Sequence, residues 1–149
     1  MYSIILSSLI FLNIITFAYA SEKCTPTKTD MEGPFYKPNA PFRDKTGSGL
    51  TVSGRTLSYP DCKPIPQVVI EYWHANREGV YDDAHRAIII SDKEGRYKFV
   101  TDFPGIYPGR PAHIHFKIRA HGFKSLTTQL YFRKKVSEEI FDIVLFQDR

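Results

Sequence analysis

The chain has 149 residues, with 20 basic and 16 acidic side chains, a formal charge of +4, and 42% hydrophobic and 14% aromatic content. That length is enough for one domain with a real core. The positive excess is mild and scattered, with Arg133-Lys134-Lys135 as its one cluster, which argues against nucleic-acid binding.

Residues 1–20 contain no Lys, Arg, Asp or Glu, carry an apolar run from Ile4 to Phe17 and end Ala18-Tyr19-Ala20. This reads as a secretory signal peptide, which places the mature chain outside the cell or in a periplasm, free of the membrane once cleaved. The missing basic residue near the start leaves an uncleaved membrane anchor as the alternative. The two cysteines, Cys24 and Cys62, then reach an oxidising compartment, where a disulfide between them is expected and two free thiols are the alternative.

Residues 21–48 are rich in Pro, Gly, Thr and Lys without periodicity, so they form an ordered, loop-rich arm. Short β-type runs follow at 50–57, 68–75, 87–91, 96–103, 113–120, 126–132 and 140–146. Turn formers separate them, among them Tyr59-Pro60-Asp61, Lys93-Glu94-Gly95 and Pro104-Gly105. The pattern predicts an all-β domain over 49–149, an antiparallel β-sandwich of about seven to eight strands without internal repeats. Residues 137–141 open Ser137-Glu138-Glu139 and form either part of the last strand or one helical turn.

The chemistry concentrates in residues 104–116, which hold Tyr107, Arg110, His113 and His115. On a strand, His113 and His115 leave one face while Ile114, Phe116 and Ile118 take the other. The apolar row then packs inward and the imidazoles hold a metal outward. Tyrosine is an uncommon ligand because its phenol must ionise, and a strongly Lewis-acidic ion such as Fe(III) is the usual reason to supply it. Imidazole suits many metals, whereas zinc normally takes Cys, His and carboxylate. A second tyrosine candidate is Tyr81, read as lying in the loop after Gly79. His74, His85 and His121 are read as structural or surface residues, and Trp73 as core.

Several segments, in order, resemble the intradiol ring-cleavage dioxygenases. They are Glu32-Gly33-Pro34-Phe35-Tyr36, Val52-Ser53-Gly54-Arg55 with Cys62-Lys63-Pro64-Ile65, and Tyr72-Trp73-His74-Ala75-Asn76 leading to Gly79-Val80-Tyr81. Next come Gly95-Arg96-Tyr97, Pro104-Gly105-Ile106-Tyr107, Arg110-Pro111-Ala112-His113-Ile114-His115 and Thr128-Gln129-Leu130-Tyr131-Phe132.

The resemblance implies an enzyme that opens small aromatic diols with O2 to cis,cis-muconate-type diacids, using Fe(III) held by Tyr81, Tyr107, His113 and His115. It also implies that Tyr107 accepts a substrate proton and that Arg110 and Gln129 act at the site. A permanently charged guanidinium three residues before a ligand suits stabilisation of a catechol dianion. Tyr36 either lines the substrate pocket or packs beneath the arm. Only Pro108-Gly109 separate Tyr107 from Arg110, and the segment between Phe132 and Phe141 is short, so a more open site that accepts substituted catechols is expected. The helical dimerisation region of the catechol-type members has no counterpart here, and a homo-oligomer stays open. Two other readings remain: a β-sandwich binding module without turnover, and a zinc or structural metal site.

Overall fold

A computed structural model describes residues 24–148; the expected signal segment lies outside the described residues. Eight strands form: β1 (Gly49–Tyr59), β2 (Val69–Ala75), β3 (Tyr81–Ile90), β4 (Arg96–Asp102), β5 (His113–Arg119), β6 (Leu126–Tyr131), β7 (Glu138–Ile140) and β8 (Ile143–Phe146). One sheet runs β3-β2-β5-β6, antiparallel throughout. The other sets β4 antiparallel to β1 on one side, with β7 and β8 on the other. The expected β-sandwich is present.

Alternation decides which side chains enter the space between the sheets. Ile70 and Tyr72 of β2, Ile114, Phe116 and Ile118 of β5, Leu50 and Val52 of β1, and Phe99 of β4 are all at most 1% exposed. Tyr72 stacks on Phe99 across the layer with ring centroids 3.9 Å apart. Each such burial stabilises the fold by about 1.5–3 kcal/mol.

Two features depart from the sequence reading. β3 begins at Tyr81, not near residue 87, because the polar run 81–86 pairs as an edge strand with β2, across an irregularity between Trp73 and Ala75. Tyr81 therefore stands on a strand, not in a loop. The final segment is also not antiparallel: β7 and β8 both run parallel to β1, pairing Thr51–Ser53 and then Thr56–Tyr59. Between these pairings Phe141 N donates to Ser53 O and Asp142 Oδ1 accepts from Arg55 N. The chain comes so close that a Cβ at Gly54 would collide with the Phe141 carbonyl. Of the two options left open for 137–141, residues 138–140 take the strand, so the helical turn is not formed.

The arm covers what the sandwich leaves bare. Thr27 N donates to Val144 O and Asp30 N to Thr127 O, after which the arm crosses the outer face of β2 and β5. Phe42 bridges to Ile88 and Lys45 to Val100. Cys24 and Cys62 form the expected disulfide, fastening the arm to the turn after β1.

Candidate metal centre

β5 presents His113 and His115 on the face away from the core, as period two requires. In register beside His115 lie Trp73 of β2 and Gln129 of β6, and Tyr131 pairs with His113. The arm roofs this face, so both histidines are buried, at 3% and 2% exposure, rather than turned to solvent. The Trp73 ring lies parallel to His115, centroids 5.0 Å apart, and Tyr36 closes over Trp73 at 5.1 Å. Trp73 is thus buried between the sheet and the arm, outside the main core cluster.

Tyr81 reaches the histidines because the turn before it is rigid. Asn76 Oδ1 accepts the backbone N–H groups of Glu78 and Val80, and Asn76 Nδ2 donates to Asp82. The Tyr81 hydroxyl lies 3.0 Å from His113 Nε2 and 3.1 Å from His115 Nε2, and the two Nε2 atoms are 3.1 Å apart. His113 Nδ1 sits 2.7 Å from the Pro111 carbonyl, which only accepts, so the ring proton is on Nδ1 and the Nε2 lone pair faces the other two donors.

Electrostatics keep the two imidazoles in ligand form. Burial lowers the His115 pKa to about 4, with His113 and Arg110 acting the same way. Burial, helped by Arg110, lowers His113 as well. Both imidazoles are therefore neutral near pH 7. Burial raises Tyr81 to about 12 against the pull of Arg110, so the phenol ionises only beside a strong positive charge. Separations near 3 Å are those of donors sharing one ion at about 2.0–2.1 Å. Among the described residues no three His, Cys, Asp or Glu gather as a metal site, so the third donor of this cluster is a phenol. A phenol that must ionise, beside two neutral imidazoles, fits a ferric ion better than zinc.

Tyr107 is near but apart. Its ring is 6.0 Å from Tyr81 and 5.3 Å from Phe35, and no hydrogen bond links its hydroxyl to the cluster. It opens the turn closed by Arg110 N donating to Tyr107 O. Arg110 donates to Gln129 Oε1 at 3.0 Å and to the Tyr131 hydroxyl. Gln129 Nε2 in turn donates to the Met31 carbonyl of the arm at 2.7 Å. Tyr36 points its hydroxyl at Glu71, 3.3 Å away, and lines a cavity of about 120 Å³ with Phe35, Trp73 and Tyr81.

Sequence reasoning passed over four neighbours. Phe35 stacks on Tyr81 at 4.3 Å, and Gly33 presses on His115. Tyr131 and Asp30 complete the hold on Arg110. The pairing of Tyr131 with Gln129 on one strand face was a signal for the third; nothing local marked Asp30. Of the other histidines, His74 is fully buried with its nitrogens on Ala75 O and Thr101 Oγ1, His85 bridges Asp82 and Asp102, and His121 is exposed.

A family model described as Dioxygenase matches residues 31–144. The catechol 1,2-dioxygenase 2 of Acinetobacter lwoffii is 33% identical over 139 residues, 70% of this chain and 50% of that protein. The protocatechuate 3,4-dioxygenase beta chain of Burkholderia cepacia is 34% identical, covering 76% of this chain and 55% of that one. The chain spans about half the length of the curated relatives it matches. Among solved structures, the dioxygenase domain of a dioxygenase carbohydrate-binding protein fusion from Streptomyces sp. SirexAA-E superposes with a TM-score of 0.76 at 35% identity, covering 83% of this chain and 100% of that one. An intradiol ring-cleavage dioxygenase from Tetranychus urticae gives a TM-score of 0.67 at 26% identity, over 74% and 66% of the two chains. The sandwich with its buried His–His–Tyr cluster defines a dioxygenase-type scaffold, and the chain belongs to the intradiol ring-cleavage dioxygenase family.

Proposed function

We propose that this protein is a ferric, non-haem intradiol dioxygenase that opens catechol-type diols with O2 to cis,cis-muconate-type diacids. The observation carrying this reading is the convergence of Tyr81 Oη, His113 Nε2 and His115 Nε2 within 3.1 Å of one another. These three side chains, with Tyr107 as the fourth donor by resemblance, would hold the iron. Bound there, Fe(III) supplies the Lewis acidity that draws electron density from an aromatic diolate.

The protein's own groups do the rest. The Tyr107 side chain makes no hydrogen bond within the described chain, and as the tyrosinate it would be beside Fe(III) it would be free to take a proton from an arriving diol. Arg110, fixed by Gln129 and Tyr131, sets a permanent positive charge beside the donors, where it stabilises a dianion. Phe35 and Trp73 pack against Tyr81 and His115, excluding water and fixing both rings. Action outside the cell or in a periplasm belongs to the same proposal, supported by the uncharged, apolar first twenty residues and by the disulfide.

The test is the visible spectrum of iron-loaded protein before and after catechol, without oxygen. A tyrosinate-to-iron band that shifts on adding catechol, and that Tyr81→Phe abolishes or strongly displaces, supports the reading. A colourless iron-loaded protein, or a band untouched in Tyr81→Phe, removes it.

A further inference from the structure

His115 lacks the fastening that His113 has. Nδ1 of His113 meets the Pro111 carbonyl at 2.7 Å, whereas Nδ1 of His115 is buried without a hydrogen bond. The Met31 backbone is near enough to favour a protonated His115 ring, yet it forms no hydrogen bond with Nδ1; its carbonyl accepts Gln129 Nε2 instead, at 2.7 Å. A metal-bound imidazole normally has its orientation set by what its other nitrogen donates to. For His115 that task falls to ring contacts. Trp73 lies flat on it, 5.0 Å between centroids and 7° from parallel, but Trp73 Nε1 is likewise buried without a hydrogen bond. Neither ring is fixed by a polar contact of its own.

The anchor lies one ring further out. Period two and strand register put Glu71 and Trp73 of β2 beside Lys117 and His115 of β5, four side chains on one face. Tyr36 of the arm meets three of them. Its ring packs on Trp73 at 5.1 Å, Lys117 Nζ lies 4.0 Å from its centroid, and its hydroxyl donates to Glu71 Oε2 at 3.3 Å. Glu71 is 2% exposed and also pairs with Arg119 Nη2 at 3.6 Å. Burying an acidic side chain is costly unless its partners are held in place, and the chemistry above makes no use of this one.

We propose that Glu71 is a positioning residue for the metal centre. It holds the Tyr36 hydroxyl, Tyr36 holds Trp73, and the Trp73 face sets the His115 imidazole so that Nε2 turns to Tyr81 and His113. The proposal rests on the iron site read above, and Glu71 acts on it only through the two rings.

The experiment uses three substitutions. Tyr36→Phe keeps the ring and removes the hydroxyl, Glu71→Leu removes the acceptor, and Glu71→Gln keeps an acceptor in the same place. Trp73 is the one tryptophan of the chain, so its fluorescence in the metal-free protein reports the stacked rings directly. Iron affinity comes from competition with a chelator. The expected result is shifted Trp73 emission and iron binding weakened by about tenfold in Tyr36→Phe and in Glu71→Leu, with Glu71→Gln within about twofold of the wild type. The two losses should not add in the double variant Tyr36→Phe with Glu71→Leu, because both break one contact. A lower Tm with unchanged iron affinity in Tyr36→Phe marks a merely structural contact and overturns the proposal. A loss in Glu71→Gln as large as in Glu71→Leu overturns it too. Should Glu71→Leu fail to fold, Tyr36→Phe and Glu71→Gln carry the test. Iron binding with the expected pattern but no opening of catechol removes the dioxygenase activity and upholds the role of Glu71. Wild-type protein that binds no iron overturns both.

Discussion

Gly33→Ala tests how tightly the arm holds the proposed metal ligands. Gly33 has φ +75°, and a Cβ there would lie 3.2 Å from His115 Cε1. An L-residue in that backbone region costs about 1–2 kcal/mol. The contact is also short, and His115 has little room to retreat. Its face rests on the Trp73 ring at 5.0 Å, and its Nε2 lies 3.1 Å from both Tyr81 and His113. The metal-free variant should therefore melt about 3–8 °C lower. Displacing Nε2 by a few tenths of an ångström should also weaken iron binding, by about tenfold or more, as loss of ligand orientation does. Thermal unfolding of the metal-free protein gives the first number and iron titration against a competing chelator the second. A variant with unchanged Tm and unchanged iron affinity would refute the claim that the arm fixes His115.

Two further perturbations probe stability. Burial lowers the His74 pKa to about 4, below the ordinary value near 6.5, so the folded state binds fewer protons than the unfolded chain between those pH values. Its stabilising contribution is present above pH 6.5 and is lost as pH falls towards 4, by at most about 1.4 kcal/mol per unit from this group. Urea midpoints of the metal-free protein should show that slope, and His74→Gln should reduce it; an equal slope in the variant contradicts the assignment. Replacing Cys24 and Cys62 together by Ser opens a crosslink spanning 38 residues, which the chain-entropy model values at about 4 kcal/mol. An unchanged urea midpoint in that double variant would mean that the bridge contributes nothing.

Much of the site was legible because it is local. His113 and His115 sit two apart in a run whose other members are Ile114, Phe116 and Ile118, and strand geometry alone puts the two sets on opposite faces. Tyr81 was placed in a loop because 81–86 has no apolar alternation. Its place at the start of β3 comes from pairing with Ala75 across an irregular register, a partner six residues back around a turn. The parallel course of β7 and β8 was hidden for a similar reason, since their partner β1 lies 87 residues earlier in the chain and hydrophobic spacing carries no direction. Trp73, read as core, lies on the face under the arm: β2 is buried on both sides, by the core and by the arm, so a large apolar residue there does not tell which side it faces.

The sequence by itself determined the strand periods, the supply of imidazole and phenol donors, the guanidinium beside them and the family likeness, because these depend on neighbours in the chain. Only the tertiary structure decided which tyrosine meets the histidines: Tyr81, more than thirty residues away, touches both, whereas Tyr107, six residues before His113, stands off. It also decided that an arm lacking any periodic signal would bury the two histidines and bring Asp30 to Tyr131, which accepts from Arg110. Contacts between distant segments arise from sheet pairing and packing, which select among many chain conformations with the same local pattern, so no reading of neighbouring residues can specify them.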